Sequence, residues 1–128
     1  MITLSLLKFL EVNGYGEIDK SLFFQKLGLG RVGVYISNTS DVQARGSKRS
    51  QSYELYSRGN DDVDGHKRLS DIIKFLHDSY GVCRLPAVPP ITDEEYDRVT
   101  IMPPSSISNA GMDANGRTIY SASGAIYY

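Results

Sequence analysis

The sequence predicts an α+β fold, an antiparallel four-stranded sheet with two helices packed on one face. Three observations carry this expectation. Apolar residues recur at helical spacing in residues 3–12 and again from residue 60 to Gly81, whereas residues 32–37, 51–58, 96–102 and 117–128 read as strands. The strand segments fall into two pairs, each following apolar structure, which is the order of an α+β domain rather than of alternating βαβ units. The chain has 128 residues, 41% hydrophobic and 23% charged, which suits a single domain, 1–128, with one core.

In the first helix, Leu6, Leu7 and Leu10 share a face, Thr3 is a candidate N-cap, and Asn13-Gly14 is a stop signal. Residues 15–31 read as a connection with an apolar Leu22-Phe23-Phe24 patch. Val32, Val34 and Ile36 alternate with Tyr35 in the first strand. Residues 38–50 are polar and read as a long loop, mobile in the free subunit, rather than a tight hairpin turn. In the next strand Tyr53 and Leu55 share one face, and Glu54, Tyr56 and Arg58 the other. The run Asn60-Asp61-Asp62-Val63-Asp64-Gly65 opens the second helix, since acidic residues suit the positive end of the helix dipole. Leu69, Ile72, Ile73, Leu76 and Tyr80 then mark its apolar stripe. Pro86, Pro89 and Pro90 exclude regular helix or central strand from residues 82–95. Residues 103–116 read as a loop closing on the turn signal Asn115-Gly116. The last strand, residues 117–128, is expected to be integral to the fold and close to an interface.

Lys and Arg number 14 against 15 Asp and Glu, a net charge of -1. That balance excludes a basic nucleic-acid binder or a polybasic membrane binder as the default class. No apolar run reaches the roughly 18 residues of a membrane span. Residues 2–12 lack the basic flank and small-residue cleavage site of a signal peptide, so a helix is expected there. The single cysteine, Cys83, has no internal partner, which points to a reducing compartment.

Several motifs carry possible chemistry. Gly28-Leu29-Gly30-Arg31-Val32-Gly33 matches G-x-G-x-x-G, but it precedes a strand, where a dinucleotide site needs it to open a helix. Residues 60–71 trace a calcium loop in outline. Asn at its first position, Asp71 at its last, Lys67 at its eighth and a strand before it favour helix capping instead. His66, His77 and Cys83 have no zinc-site spacing. Asp93, Glu94, Glu95 and Asp97 read as a surface acidic patch. No cofactor, metal site or catalytic residue is expected. Arg45, Lys48 and Arg49 form a basic cluster suited to DNA or an acidic partner. The chain has nine tyrosines and no tryptophan. Tyrosine suits surfaces that are wet alone and dry in a complex, so Tyr35, Tyr56, Tyr120, Tyr127 and Tyr128 are candidate subunit-interface residues.

The helix ending at Asn13-Gly14, the GVYIS strand, the SQSYELYSRG strand, the VDGHKRLSDIIKFL helix and the closing D-x-N-G-R-x-I-Y-S strand resemble the tail terminators of long-tailed phages, often called minor capsid proteins. The resemblance implies a non-enzymatic structural protein of the virion, assembled in the bacterial cytoplasm and placed at the tail neck. It implies a six-fold ring on the head-proximal end of the tail tube, which stops tube growth and receives the head-completion (stopper) protein. Its partners would be its own copies, the tube protein and the stopper, with no membrane. Arg45, Lys48 and Arg49 would face either DNA passing through the channel or an acidic neighbour. The alternatives are another neck or tail subunit, a small intracellular enzyme, or a calcium-binding module.

Overall fold

A computed structural model describes residues 2–25, 31–79, 82–88 and 95–128. The chain runs α1 (Ile2–Val12), β1 (Leu22–Phe24), β2 (Gly33–Asn38), β3 (Gln43–Arg45), β4 (Lys48–Arg58), α2 (Asp62–Asp78), β5 (Val82–Leu85), β6 (Tyr96–Met102), β7 (Ser108–Met112) and β8 (Thr118–Tyr127). The strands form one sheet in the order β1-β2-β4-β8-β6-β5. β3 extends the line of β2 along β4, and β7 that of β6 along β8. β1 and β2 are parallel, and the other pairs are antiparallel.

The expected four-stranded antiparallel sheet is therefore incorrect: the sheet is mixed, curled and eight-stranded. The four extra strands are short and lack the alternation that marks a strand. Leu22–Phe24 is an unbroken apolar triplet paired parallel to β2. Val82–Leu85 ends just before Pro86 and pairs with β6, so the prolines bound this strand without preventing it. β3 and β7 are exposed throughout, so no buried face shows in their sequence.

The curl follows from α1. This helix touches both β1 and β5, the opposite ends of the sheet order. A sheet whose two ends meet one helix must wrap around it. The wrapping explains why Ile2, Leu4, Leu6, Leu7 and Leu10 are buried together with Thr3 and Ser5. α1 is thus enclosed nearly all round over its first six residues, with Lys8 and Glu11 paired near its C-terminal end. Glu11 Oε2 also accepts a hydrogen bond from the backbone N–H of Ile18 at 2.6 Å, which ties the following turn to the helix.

β4 is the spine of the sheet, flanked by β8 on one edge and by β2 and β3 on the other. Tyr53 and Leu55 are fully buried on its inner face with Ile36, Ile101 and Ile126. α2 adds Leu69, Ile72 and Leu76 to this core. Where β4 meets the start of α2, the Ser57 hydroxyl donates to the carbonyl of Gly65 at 2.8 Å. Gly59 lies so close to the Gly65 backbone nitrogen that no side chain fits between them.

The acidic run before α2 is used as a cap. Asp61 is the N-cap and accepts from the Asp64 N–H at 2.8 Å. Asp64 accepts from the Asn60 N–H and from Arg68, and Asp62 accepts from the Thr118 N–H of β8. Asp71 lies within the helix and pairs with Lys67. Residues 60–71 therefore have the geometry of a helix start, and their carboxylates do not converge as a calcium loop requires.

Candidate assembly surface and basic recess

Among the described residues both helices pack against one face of the sheet, and no helix packs against the other. Register sets which side chains share the open face. Tyr35 pairs with Tyr56, Tyr56 with Ser121, Glu54 with Ser123, Ser52 with Ala125 and Ser50 with Tyr127. Each of these alternates with an inward residue such as Tyr53, Leu55, Ala122 or Ile126.

Tyr35 and Tyr56 stack on this face with ring centroids 4.6 Å apart and planes 9° from parallel. The Tyr56 hydroxyl donates to Glu54 Oε2 at 2.8 Å. That bond, with burial and the Glu54 charge, pushes the Tyr56 phenol up to about 12. Burial, chiefly, raises Tyr35 as well. Both phenols therefore stay neutral at ordinary pH, with the Tyr56 O–H engaged by Glu54.

Tyr120, grouped with this pair among the interface candidates, does not share their face. Leu55 pairs with Ala122, so Tyr120 lies on the inner side. Its ring meets His66 of α2 edge-on at 5.3 Å. Tyr128 also turns inward, edge-on to Tyr96 at 5.4 Å. Tyr127 stays on the open face, 50% exposed. It lies roughly 20 Å from Tyr56, six residues along the ladder.

Residues 38–50 are not one long loop. Residues 39–42 are held against β4, with Gln51 Nε2 donating to the Ser40 carbonyl at 2.7 Å. A tight hairpin then joins β3 to β4 through Gly46-Ser47. Gly46 has φ +61, a left-handed turn conformation that glycine adopts without steric cost. The three predicted basic residues flank this turn. Arg45 pairs directly with Lys48, and Ala44 with Arg49. The Arg49 N–H donates to the Tyr128 carbonyl at 2.7 Å, and the Tyr128 N–H donates back at 2.9 Å, which fastens the hairpin to the end of β8. Gln43, Arg45, Lys48, Arg49, Ser50 and Tyr127 then line a recess of about 500 Å3. Two sets that the sequence left separate, the basic cluster and one interface tyrosine, thus come together.

A second recess, about 600 Å3, opens at the start of α1 between Thr3, Asn38, Asp41, Gln51 and Tyr128. Thr3 Oγ1 and Asn38 Oδ1 are buried beside it without hydrogen-bond partners, as is Ser5 Oγ within the helix. Sequence reasoning missed this place, because it requires knowing that the polar side of α1 is enclosed.

The remaining candidates are dispersed. His77 Nε2 lies 2.9 Å from the Pro104 carbonyl, and Cys83 is half-buried with its thiol raised by burial. Asp97 forms an exposed pair with Arg84, whereas Asp93 and Glu94 lie outside the described residues. Gly28 and Gly30 lie outside them too, and the last glycine of that motif, Gly33, begins β2 against the Ser21 carbonyl. Among the described residues no group of three or more His, Cys, Asp or Glu side chains could hold a metal, and no helix is long and apolar enough to cross a membrane.

No protein-family model matches the chain, and the search of curated proteins gives no match.

Proposed function

We propose that the chain is a structural assembly subunit of the tail-terminator kind, closing into a six-fold ring at the head-proximal end of a phage tail tube. In this role it stops tube polymerisation and joins the tail to the head-completion protein. The observation that carries the reading is the helix-free face of the sheet, with the stacked Tyr35–Tyr56 pair at one end and exposed Tyr127 at the other. Aromatic rings on an open face suit a surface that another subunit covers. Edges add a second means of contact. β1 and β5 end the sheet order, and edge strands pair with neighbours unless blocked; at β1 the bridge from Ile18 to Leu22 already occupies the start of the edge. A head-to-tail contact of this kind closes into a ring when its rotation permits. The reading needs one open face, and it does not depend on the number of strands.

The test is electron microscopy of the purified subunit mixed with a tail tube protein. The expected result is a terminal six-fold ring and tubes that stop growing. Tyr35→Ala with Tyr56→Ala should weaken ring formation while the circular dichroism of the subunit is retained. A five-fold or twelve-fold ring, or tubes of unchanged length without a terminal ring, would count against the terminator role. A ring that binds only the portal side would favour a stopper instead.

A further inference from the structure

Arg45 and Lys48 stand directly opposite each other across the β3–β4 ladder. Like charges in that position repel, and they destabilise the hairpin unless an anion lies between them. Among the described residues no carboxylate pairs with Arg45, Lys48 or Arg49, which is true also of the exposed Lys74 and Arg98, whereas Lys67, Arg68 and Arg84 are paired. Gln43 and Tyr127 both pair with Ser50, one on each side, so an amide, a hydroxyl and an exposed aromatic ring form the next row on the same face. The result is a concave site with cations at one side and a ring at the other.

We propose that this recess binds single-stranded nucleic acid, with backbone phosphates on Arg45 and Lys48 and one base stacked on Tyr127. The two cations supply the attraction to phosphate, whereas Arg49, opposite Ala44, alternates to the other face. The half-exposed ring supplies a stacking platform that any unpaired base can use. A duplex keeps its bases stacked within the helix, so it can use the cations but not Tyr127. An acidic peptide would likewise leave the ring unused. The volume of about 500 Å3 falls within the range of small-molecule sites. Tyr127 also lies on the face proposed above to be covered in the ring, so this is a site of the isolated subunit, and its test does not require ring formation.

Fluorescence anisotropy with a labelled oligothymidylate, an equal-length duplex and a polyglutamate competitor tests the proposal. The single strand should bind more tightly than the duplex. The logarithm of its affinity should fall with the logarithm of salt concentration at a slope of about −1.4, about 0.7 for each of two phosphate contacts. Replacing Arg45 and Lys48 together by alanine should flatten that slope and weaken binding at least about tenfold. Tyr127→Ala should weaken the single strand about fivefold or more and leave the duplex unchanged, whereas Tyr127→Phe should retain binding. Circular dichroism checks that each variant is folded. Arg45→Lys keeps the charge and should keep the slope. Equal affinity for both nucleic acids with no effect of Tyr127→Ala would overturn the proposal. So would an absence of binding at low salt, or displacement of the strand by polyglutamate at equal charge concentration.

Discussion

Ser5→Ala and Thr3→Val should each make the protein more stable. Ser5 is fully buried and Thr3 is 1% exposed, and neither hydroxyl has a hydrogen-bond partner among the described residues. An unpaired buried hydroxyl costs about 1–3 kcal/mol, because it leaves water without gaining a replacement bond. Thr3→Val keeps the shape and the β-branch and removes the polar atom, so a gain of about 1 kcal/mol is expected. Ser5→Ala adds a helix-propensity gain of about 0.5 kcal/mol to the same effect. Thr3→Ser is the control with the opposite sign. It retains the unpaired hydroxyl and deletes a buried methyl, at a cost of about 1 kcal/mol. Urea unfolding followed by circular dichroism reads all three, and each kcal/mol should move the midpoint by about 0.5 M at a slope near 2 kcal/mol/M. Residues two apart on a helix do not face each other, so the double variant should be close to additive. A loss of stability in Ser5→Ala would show that its hydroxyl is bonded in solution and would refute the reasoning. Loss in Thr3→Val alone would place an ordered partner in the adjoining recess.

Gly124→Ala should destabilise by about 1–3 kcal/mol, measured by the same unfolding curves, since overpacking of a filled core has that cost. A Cβ there would lie 2.5 Å from the Tyr53 hydroxyl and 2.6 Å from the Met102 carbonyl oxygen, across the bond that the two share. Stability should also fall in acid. The Lys8 side chain and the Ile18 N–H hold Glu11 below the usual carboxylate range, and the Asn60 N–H and Arg68 do the same for Asp64. Burial pushes Asp113 up, but the Arg117 and Asn115 N–H groups and the Arg117 guanidinium outweigh it and leave it lowered. A lowered carboxyl stabilises fully above its unfolded pKa of about 4 and loses that contribution as pH falls through its folded value. Unfolding midpoints should therefore drop below pH 4 or so, and Asp113→Asn should make that drop shallower. An unchanged acid profile in Asp113→Asn would refute its part.

Long elements with strong periodicity were legible in the sequence. α2 shows its apolar stripe and its cap because Leu69, Ile72 and Leu76 face the sheet while Asp61 and Asp64 bind the first turn. β2, β4, β6 and β8 follow from alternation, since each has one buried face. β3 and β7 bury nothing, so their sequences carry only turn signals, and they are strands because the neighbouring backbones offer partners. α1 was legible as a helix but not as the element that the sheet encloses. Its Lys8 and Glu11 interrupt the apolar run, and Thr3 and Ser5 look like a polar side. Their burial depends on β1 and β5 reaching the same helix from opposite ends of the sheet, which no local pattern encodes.

The surface was legible only in its residue types. Nine tyrosines indicate where rings could meet a partner, but the face of each follows from register. One such assignment failed at Tyr120, where pairing of Leu55 with Ala122 turns the ring toward His66. The basic cluster behaved differently. Its members are nearly adjacent in sequence, so the sequence locates them, yet it cannot show that Arg45 and Lys48 oppose each other. That opposition requires the turn at Gly46-Ser47, and the adjoining ring requires Tyr127 to pair with Ser50. Local repulsion in the hairpin and an aromatic platform beside it have the same origin, the register of β4 with both of its neighbours. A single-residue slip of β8 against β4 would turn Tyr127 to the other face and put Ile126 or Tyr128 opposite Ser50. The fold and the proposed recess are therefore linked, because the register that buries Leu55, Ala122 and Ile126 also brings Tyr127 to Lys48 and Ser50.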